Sequence, residues 1–435
     1  MAVKQEIRKK DRDTIIQALR AGVVPRTGLH LIQVGRKLEV EALLGDIERI
    51  GDGGSTIRFI IGEYGSGKTF FLNLVRTLAM KKNLVTASAD LNPSRRLHST
   101  SGQAKSLYME LVRNLSTRTN PDGGALVGIA EKFIANTARE AKASSAGVEE
   151  LIHRKLYGLT ELVCGFDFTH VITQYYRGFE AGNEELKSNA VKWLRGEFST
   201  KTDARLALGV RNIIDDSTYY DQLKLLAKFV RIAGYSGLLV CFDEMVNIYK
   251  LANTVGRNSN YEQLLRILND CLQGNTEGIG FVFGGTPEFY LDTRRGMFSY
   301  DALRSRLGQN TFSGGKYRDL SGPVIRLESL TREDLFVLLG NINFVYAAGK
   351  KEDEVVPEQA LSVFMDYCST RLGNEYFRTP RTTITAFINL LAILDQNQEA
   401  RWQELIGTIA IEQDSGGIAE KAGVIDDDEL VSFRL

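Results

Sequence analysis

The residues with the clearest chemical potential form one segment, Gly62-Glu63-Tyr64-Gly65-Ser66-Gly67-Lys68-Thr69, which matches the pattern GxxxxGK[ST]. It follows an apolar run and precedes a helical pattern, the context that a phosphate-binding P-loop requires. Gly65 and Gly67 let backbone N–H groups turn toward a β-phosphate, while Lys68 reaches the β- and γ-phosphates. Thr69 would place its hydroxyl on Mg²⁺, and the adjacent Phe70 completes the predicted nucleotide-binding set. The alternative is a chance glycine-rich turn, which the flanking strand and helix disfavour.

A pair of adjacent acids, Asp243 and Glu244, ends the apolar run LLVCFDE. Asp243 would hold Mg²⁺ together with Thr69, and Glu244 would activate the attacking water. Such a pair at the end of a strand is otherwise an ordinary solvated turn, but a P-loop in the same chain favours the catalytic interpretation. A base for water also favours a hydrolase over a small-molecule kinase. We therefore predict a Mg²⁺-dependent ATPase.

Thr286 follows a further apolar run, in the sequence Gly284-Gly285-Thr286-Pro287. If this strand lies between the P-loop strand and the Asp-Glu strand, Thr286 can orient water or touch the γ-phosphate. The other interpretation is a turn residue before proline, and both remain open.

Five apolar runs alternate with helical patterns, which predicts an α/β fold with a five-stranded parallel sheet. The runs cover 56–62, 84–91, 237–244, 278–286 and 322–330. About 145 residues separate the second run from the third, too many for an ordinary crossover. We predict an N-terminal arm (1–34), an ATPase core in two parts (35–99 and 233–330), a helical insertion (100–232), and a helical lid and tail (331–435).

Composition limits the classes of protein that remain. The 435 residues carry 54 Lys+Arg and 54 Asp+Glu, with 43% hydrophobic and 25% charged residues. This balance argues against disorder and against a basic coat for nucleic acid, although it permits a local basic patch. The four cysteines show neither CxxC nor histidine spacing, so no zinc site or disulfide framework is expected. No membrane-spanning run or signal peptide is recognised, and we expect a cytoplasmic protein.

The chain resembles the AAA+ division of P-loop ATPases and, more closely, the ATP-binding proteins of BREX-type bacterial phage-defence loci. The resemblance covers nearly the whole chain and is carried by IIQALRAGVVPRTGLHLIQVGR, FIIGEYGSGKTFFL, VRNIIDDSTYYDQLKLLAKFVRIAGYSGLLVCFDEMVNIYKL, GGTPEFY and YDALRSRL. It implies a three-layer αβα core with a helical lid. It also implies a nucleotide-driven switch or remodeller that acts with further subunits or with co-encoded defence proteins such as a helicase or nuclease.

The same resemblance implies roles for residues outside the P-loop. Gly35 and Arg36 match the Gly-Arg pair that borders the adenine. Arg304 or Arg306 falls where an arginine finger for a neighbouring subunit's γ-phosphate is expected. Arg381, with Arg378 as its competitor, falls where a lid arginine contacts the nucleotide.

DNA is a further candidate partner, because six basic residues between 294 and 318 interleave with aromatic ones. A solvated loop beside the arginine finger explains the same stretch. Two alternative functions stay open: an ATP-loaded scaffold with little turnover, and a DNA-binding loader similar to the origin-recognition ATPases.

Overall fold

The computed structural model of the chain describes residues 7–308, 310, 318–373 and 380–408. Within this part the chain divides into two compact units. The P-loop unit comprises the described residues among 1–35, 62–70 and 327–435, and the sheet unit comprises those among 36–61 and 71–326. No helix of the described residues is both long and apolar enough to cross a bilayer.

The described residues form one five-stranded sheet, with each strand inside one of the five predicted runs or within a residue of it. The strands are β1 (Ser55–Gly62), β2 (Val85–Asp90), β3 (Leu238–Asp243), β4 (Ile279–Gly285) and β5 (Val324–Leu327). Their order across the sheet is β2-β3-β4-β1-β5, and the ladders β2–β3, β3–β4 and β4–β1 are parallel. β4 therefore lies between β1 and β3. The predicted α/β fold with a five-stranded parallel sheet is confirmed.

Helices make up most of the remaining described chain. In order they are α1 (Lys9–Arg20), α2 (Leu29–Ile32), α3 (Lys37–Gly51), α4 (Lys68–Lys81), α5 (Gln103–Arg113), α6 (Leu126–Ser144), α7 (Val148–Leu156), α8 (Gly165–Glu180), α9 (Glu184–Leu194), α10 (Lys201–Leu208), α11 (Tyr219–Ile232), α12 (Val246–Tyr249), α13 (Thr254–Leu272), α14 (Pro287–Leu291), α15 (Asp301–Leu307), α16 (Arg332–Tyr346), α17 (Glu358–Leu372), α18 (Pro380–Gln396) and α19 (Trp402–Ile406). The segment between β2 and β3 holds α5 to α11, although these two strands pair directly. The predicted domain boundaries remain predictions.

Three stacked aromatic rings lie in the core of the sheet unit. Phe283 on β4 is in register with Phe59 on β1 and Phe242 on β3. Because residues in register on neighbouring strands project to the same face, the three rings meet. The centroid of Phe283 lies 5.1 Å from each of the other two, and all three side chains are buried. These rings join the three central strands into one layer.

We expect Phe283→Ala to lower the free energy of unfolding by about 3–5 kcal/mol, because it opens a cavity under two stacked rings. Urea unfolding of the variant and of the parent chain measures the difference. Leu272→Ala, at a side chain that is 58% exposed, is the matched control and should change the stability little. Equal losses in both variants would contradict a central role for the stack.

The P-loop unit has a separate apolar core, in which α1 packs with the helices that follow β5. Its buried residues include Ile15, Leu335, Leu339, Phe364 and Phe387. The rings of Phe364 and Phe387 lie 5.3 Å apart, between α17 and α18. Arg20 also donates a hydrogen bond of 3.0 Å from Nε to Asn389 Oδ1 on α18. The first helix of the chain is therefore held against α18.

Candidate functional site

The P-loop connects β1, which ends at Gly62, to α4, which begins at Lys68. Gly65 and Gly67 have φ values of 82° and 83°, a conformation that side chains disfavour. A Cβ atom placed on Gly67 would meet no described protein atom within 4 Å. The backbone conformation therefore requires glycine there, and the space in front of it is open to a ligand. At Gly62 a Cβ atom would lie 3.0 Å from the carbonyl oxygen of Leu327, so crowding requires glycine at that position.

Lys68 lies across the loop that it follows. Its Nζ donates hydrogen bonds to the carbonyl oxygens of Gly62, at 2.8 Å, and Glu63, at 2.7 Å. The N–H of Ser66 donates to the same Glu63 oxygen at 3.1 Å, which tightens the turn. Thr69 is the second residue of α4, so its hydroxyl belongs to a helix N-terminus with a positive partial charge. A cation, a helix N-terminus and a glycine turn together suit a bound phosphate.

A cavity of about 800 Å³ lies beside the P-loop, within the same unit. It is lined by Glu63, Tyr64 and residues 328–333, which lead into α16. Tyr64 is 55% exposed, unusual for so large a side chain. Three glutamates line the cavity against a single arginine, Arg332, which pairs with Asp366 at 2.5 Å. The cavity is therefore acidic on balance.

The Gly-Arg pair has left-handed backbone at both residues, with φ of 60° at Gly35 and 62° at Arg36. A Cβ atom on Gly35 would lie 3.2 Å from Oδ1 of Asp334. Asp334 forms the capping box of α16 with Thr331, so Gly35 lies beside the start of that helix. In the sheet unit, Arg36 precedes α3 and its Nη1 lies 4.0 Å from Oε1 of the buried Glu39.

Asp243 and Glu244 stand where β3 ends, beside the end of β4. Asp243 is 8% exposed, and its Oδ1 accepts a hydrogen bond of 2.9 Å from the N–H of Glu244. Glu244 is exposed and has a φ of 57°. A Cβ atom on Gly284 would lie only 2.6 Å from Asp243 Oδ1. The carboxylate of Asp243 thus lies directly against the backbone of β4, in space that only glycine leaves free.

We expect Gly284→Ala to displace the Asp243 carboxylate and to lower ATP hydrolysis by about tenfold to a hundredfold, while ATP binding is kept. Steady-state hydrolysis and equilibrium ATP binding of the variant measure the two effects. Gly256→Ala is the matched control, because a Cβ atom on that helical glycine meets no described atom within 4 Å. Unchanged hydrolysis in Gly284→Ala would show that the position of Asp243 does not matter.

Asp90 is a further acid at the candidate site, and no sequence motif points to it. It ends β2 and is in register with Asp243. Partial desolvation raises the pKa of Asp90, and the nearby charge of Asp243 raises it further, whereas Arg95 lowers it. An acid at the end of a predicted strand was the available signal. The sheet edge therefore gathers three acids, Asp90, Asp243 and Glu244.

Thr286 caps a short helix. Its hydroxyl accepts a hydrogen bond of 3.4 Å from the N–H of Phe289, and Pro287 follows at the first position of α14. The strand order does place Thr286 at the end of β4, between the strand of the P-loop and that of Asp243. This cap agrees with the interpretation of Thr286 as a turn residue. Its hydroxyl group can still donate a hydrogen bond to water or to a phosphate, so the catalytic interpretation is also compatible with the cap.

Both finger candidates are exposed on α15. Arg304 pairs with Asp301 at 2.8 Å, and Arg306 donates from Nε to Asn269 Oδ1 at 2.9 Å. In the P-loop unit, Arg381 is the second residue of α18, and a Cβ atom on Gly22 would lie 3.2 Å from its Cδ. Its competitor Arg378 lies outside the described residues, as does the part of the basic stretch at 309 and 311–317.

The donors available to Mg²⁺ are few. The described residues contain no group of three or more His, Cys, Asp or Glu side chains that could hold a metal ion. Mg²⁺ in nucleotide sites needs only one or two carboxylates together with substrate phosphates and water. In the sheet unit, Asp243 is a buried carboxylate of the type that Mg²⁺ binds, and in the P-loop unit Thr69 supplies a hydroxyl of that type.

Comparison with protein families identifies a family that matches most of the chain. The sequence model of a protein family described as BREX system ATP-binding protein BrxC/D matches residues 7–410. That range contains the P-loop, Asp243, Glu244 and all five strands. No curated protein matches the chain.

Proposed function

Because the chain belongs to the family of BREX system ATP-binding proteins BrxC/D, we propose that it is a Mg²⁺-dependent ATPase of the AAA+ type. ATP binding and a place in phage defence come with the family. Hydrolysis, the switch-like output and the roles of individual residues are the proposal. In it, the chain couples its nucleotide state to DNA or to a partner protein of the defence system.

The P-loop carries this proposal. Gly65 and Gly67 hold a left-handed turn between β1 and α4, and Lys68 lies across that turn. A triphosphate bound there meets backbone N–H groups, the helix N-terminus and the ammonium group, which together offset its charge. All three kinds of phosphate-binding group come from the P-loop and the first turn of α4.

The acidic cavity beside the loop suits the nucleoside end of ATP. Its three glutamates would repel phosphates, but they can accept hydrogen bonds from ribose hydroxyls and from the adenine amino group. The exposed ring of Tyr64 offers a face for stacking. Gly35, which lies beside the start of α16, and Arg36 are the proposed contacts to the adenine, and Arg381 is the proposed lid contact.

Asp243, at the end of β3, and Thr69, in the P-loop, are the proposed Mg²⁺ ligands, and Glu244 is the proposed base for water. Bound Mg²⁺ neutralises charge on the phosphates. Glu244 is exposed, whereas the carboxylate of Asp243 is packed against the backbone of β4. Thr286 is proposed to orient the water.

Strand order supports the AAA+ assignment. β4 is inserted between β1 and β3, so a polar residue at its end falls between the P-loop strand and the acid pair. Helices α16 to α19 follow β5 in the sequence, and we propose that they form the lid. Arg306, or Arg304, on exposed α15 is then the proposed finger for the γ-phosphate of a neighbouring subunit.

Two measurements test the proposal together. Phosphate release from ATP is measured with Mg²⁺, with EDTA and with duplex DNA, and mass photometry with ATPγS follows assembly. Hydrolysis that requires Mg²⁺, together with a ring-sized species, would support the AAA+ switch. A chain that binds ATP but neither hydrolyses it nor assembles would instead be an ATP-loaded scaffold. Strong stimulation by duplex DNA would favour the loader.

A further inference from the structure

A second cavity, of about 470 Å³, lies at the opposite edge of the sheet, where the strands begin. Three of its lining residues, Gly51, Ser236 and Glu277, come shortly before β1, β3 and β4 respectively. The other walls come from α11 and from residues 158–159. Its volume is in the range of small-ligand sites, and neither the P-loop nor the acids after β3 line it.

Arg231 lines this cavity, and among the described residues its guanidinium group has no anionic partner there. It is half-buried, and within the described part of the chain its side chain makes no hydrogen bond or ion pair. A Cβ atom on Gly53 would lie 2.8 Å from its Nη1, and one on Gly278 would lie 3.2 Å from its Nε. Both glycines have positive φ, at 94° and 63°. Two side-chain-free turns thus make room for a guanidinium group that has no anion.

The charges around the cavity do not balance. Lys228 lies one turn before Arg231 on α11 and pairs with Glu277 at 3.5 Å. Lys132 Nζ lies 3.6 Å from the ring centroid of Tyr235 and donates to the carbonyl oxygen of Gly234 at 3.1 Å. Burial lowers the pKa of Lys132, because no carboxylate offsets its desolvation. Among the residues that line the cavity, Lys228 and Arg231 therefore face one carboxylate, that of Glu277, which leaves a surplus of one positive charge.

We propose that this cavity binds a small phosphorylated ligand, with its phosphate on Arg231 and Lys228. A phosphate monoester is negatively charged at neutral pH and presents three strong acceptor oxygens, enough to accept hydrogen bonds from both basic side chains, whereas a carboxylate presents only two oxygens. Arginine also binds phosphate through two parallel hydrogen bonds. Tyr235, Leu159 and Ile232 provide apolar walls for the rest of the ligand.

The test uses the full chain carrying Lys68→Ala, so that phosphate binding at the P-loop does not interfere. Inorganic phosphate is titrated by calorimetry and by thermal unfolding at constant ionic strength, with acetate as the carboxylate probe. Phosphate should bind and raise the melting temperature, and acetate should do neither. Adding Arg231→Gln should weaken phosphate binding by about tenfold or more.

Arg205→Gln is the matched control, since Arg205 is an exposed arginine of the same unit outside the cavity. Lys228→Gln provides a second cavity variant and should also weaken binding. Equal phosphate affinity in the Arg231 and Arg205 variants would overturn the proposal, as would an absence of phosphate binding. Stabilisation by a glutamate-rich peptide but not by phosphate would overturn it too, and would assign the cavity to a protein partner. Each outcome is separate from ATP binding at the P-loop.

Discussion

Substituting Lys68 by alanine is expected to weaken ATP binding by roughly tenfold to a hundredfold and to abolish hydrolysis. The ammonium group lies across the P-loop, where it donates to the carbonyl oxygens of Gly62 and Glu63. Once it is removed, a bound triphosphate keeps the backbone N–H groups but loses its nearest full positive charge. Equilibrium titration with a fluorescent ATP analogue, followed by displacement with ATP, measures the loss.

Lys81→Ala is the control for Lys68→Ala. Lys81 is the exposed last residue of the same helix, so its removal changes the net charge equally without touching the loop. Its ATP affinity should match that of the parent chain. If Lys68→Ala also matched the parent chain, the loop would not be the nucleotide site, and the proposed function would fail with it.

The strands were predictable because their apolar runs are short, rich in β-branched residues and bounded by turn residues. In β1, the pattern of apolar residues predicts the strand but not the contacts of its buried arginine. Its Arg58 is buried, since its Nε donates to Asp46 Oδ2 at 2.6 Å and its Nη1 donates to the carbonyl oxygen of Leu320 at 2.9 Å. Partners so distant in sequence do not appear in any local pattern.

Helix ends were less predictable than helix positions. The apolar helical pattern of the segment NYEQLLRILNDCLQ begins at about Asn260, but α13 begins at Thr254. Gly256 and the polar residues around it favour a loop locally, yet Asn253 accepts hydrogen bonds from the N–H groups of Val255 and Gly256. This cap satisfies the first turn, so the helix extends further than local propensity indicates.

The candidate site also has parts that the sequence predicts and parts that it does not. The P-loop was predictable because one continuous segment contains all its parts. The contact between Asp243 and Gly284, and the register that sets Asp90 beside Asp243, depend on strand order. Strand order is a tertiary property, so the sequence could name Asp243 without showing why Gly284 must be glycine.

Glu244→Gln is expected to keep ATP binding and to lower hydrolysis by about a hundredfold to ten-thousandfold, the usual effect of removing a general base. Glutamine has nearly the same shape, so the left-handed backbone at this position, with φ of 57°, costs no more than before. The neighbouring Asp243 keeps its hydrogen bond to the backbone N–H of residue 244. Single-turnover hydrolysis and equilibrium ATP binding separate the two effects.

If ATP hydrolysis drives a switch, the Glu244→Gln chain should accumulate an ATP-bound assembly that the parent chain loses as ATP is consumed. Mass photometry over time with ATP detects this difference. Glu262→Gln, at an exposed acid on α13, is the matched control and should behave like the parent chain. Full hydrolysis in Glu244→Gln would exclude Glu244 as the base. A persistent monomer in every nucleotide state would contradict a switch that works through subunit assembly.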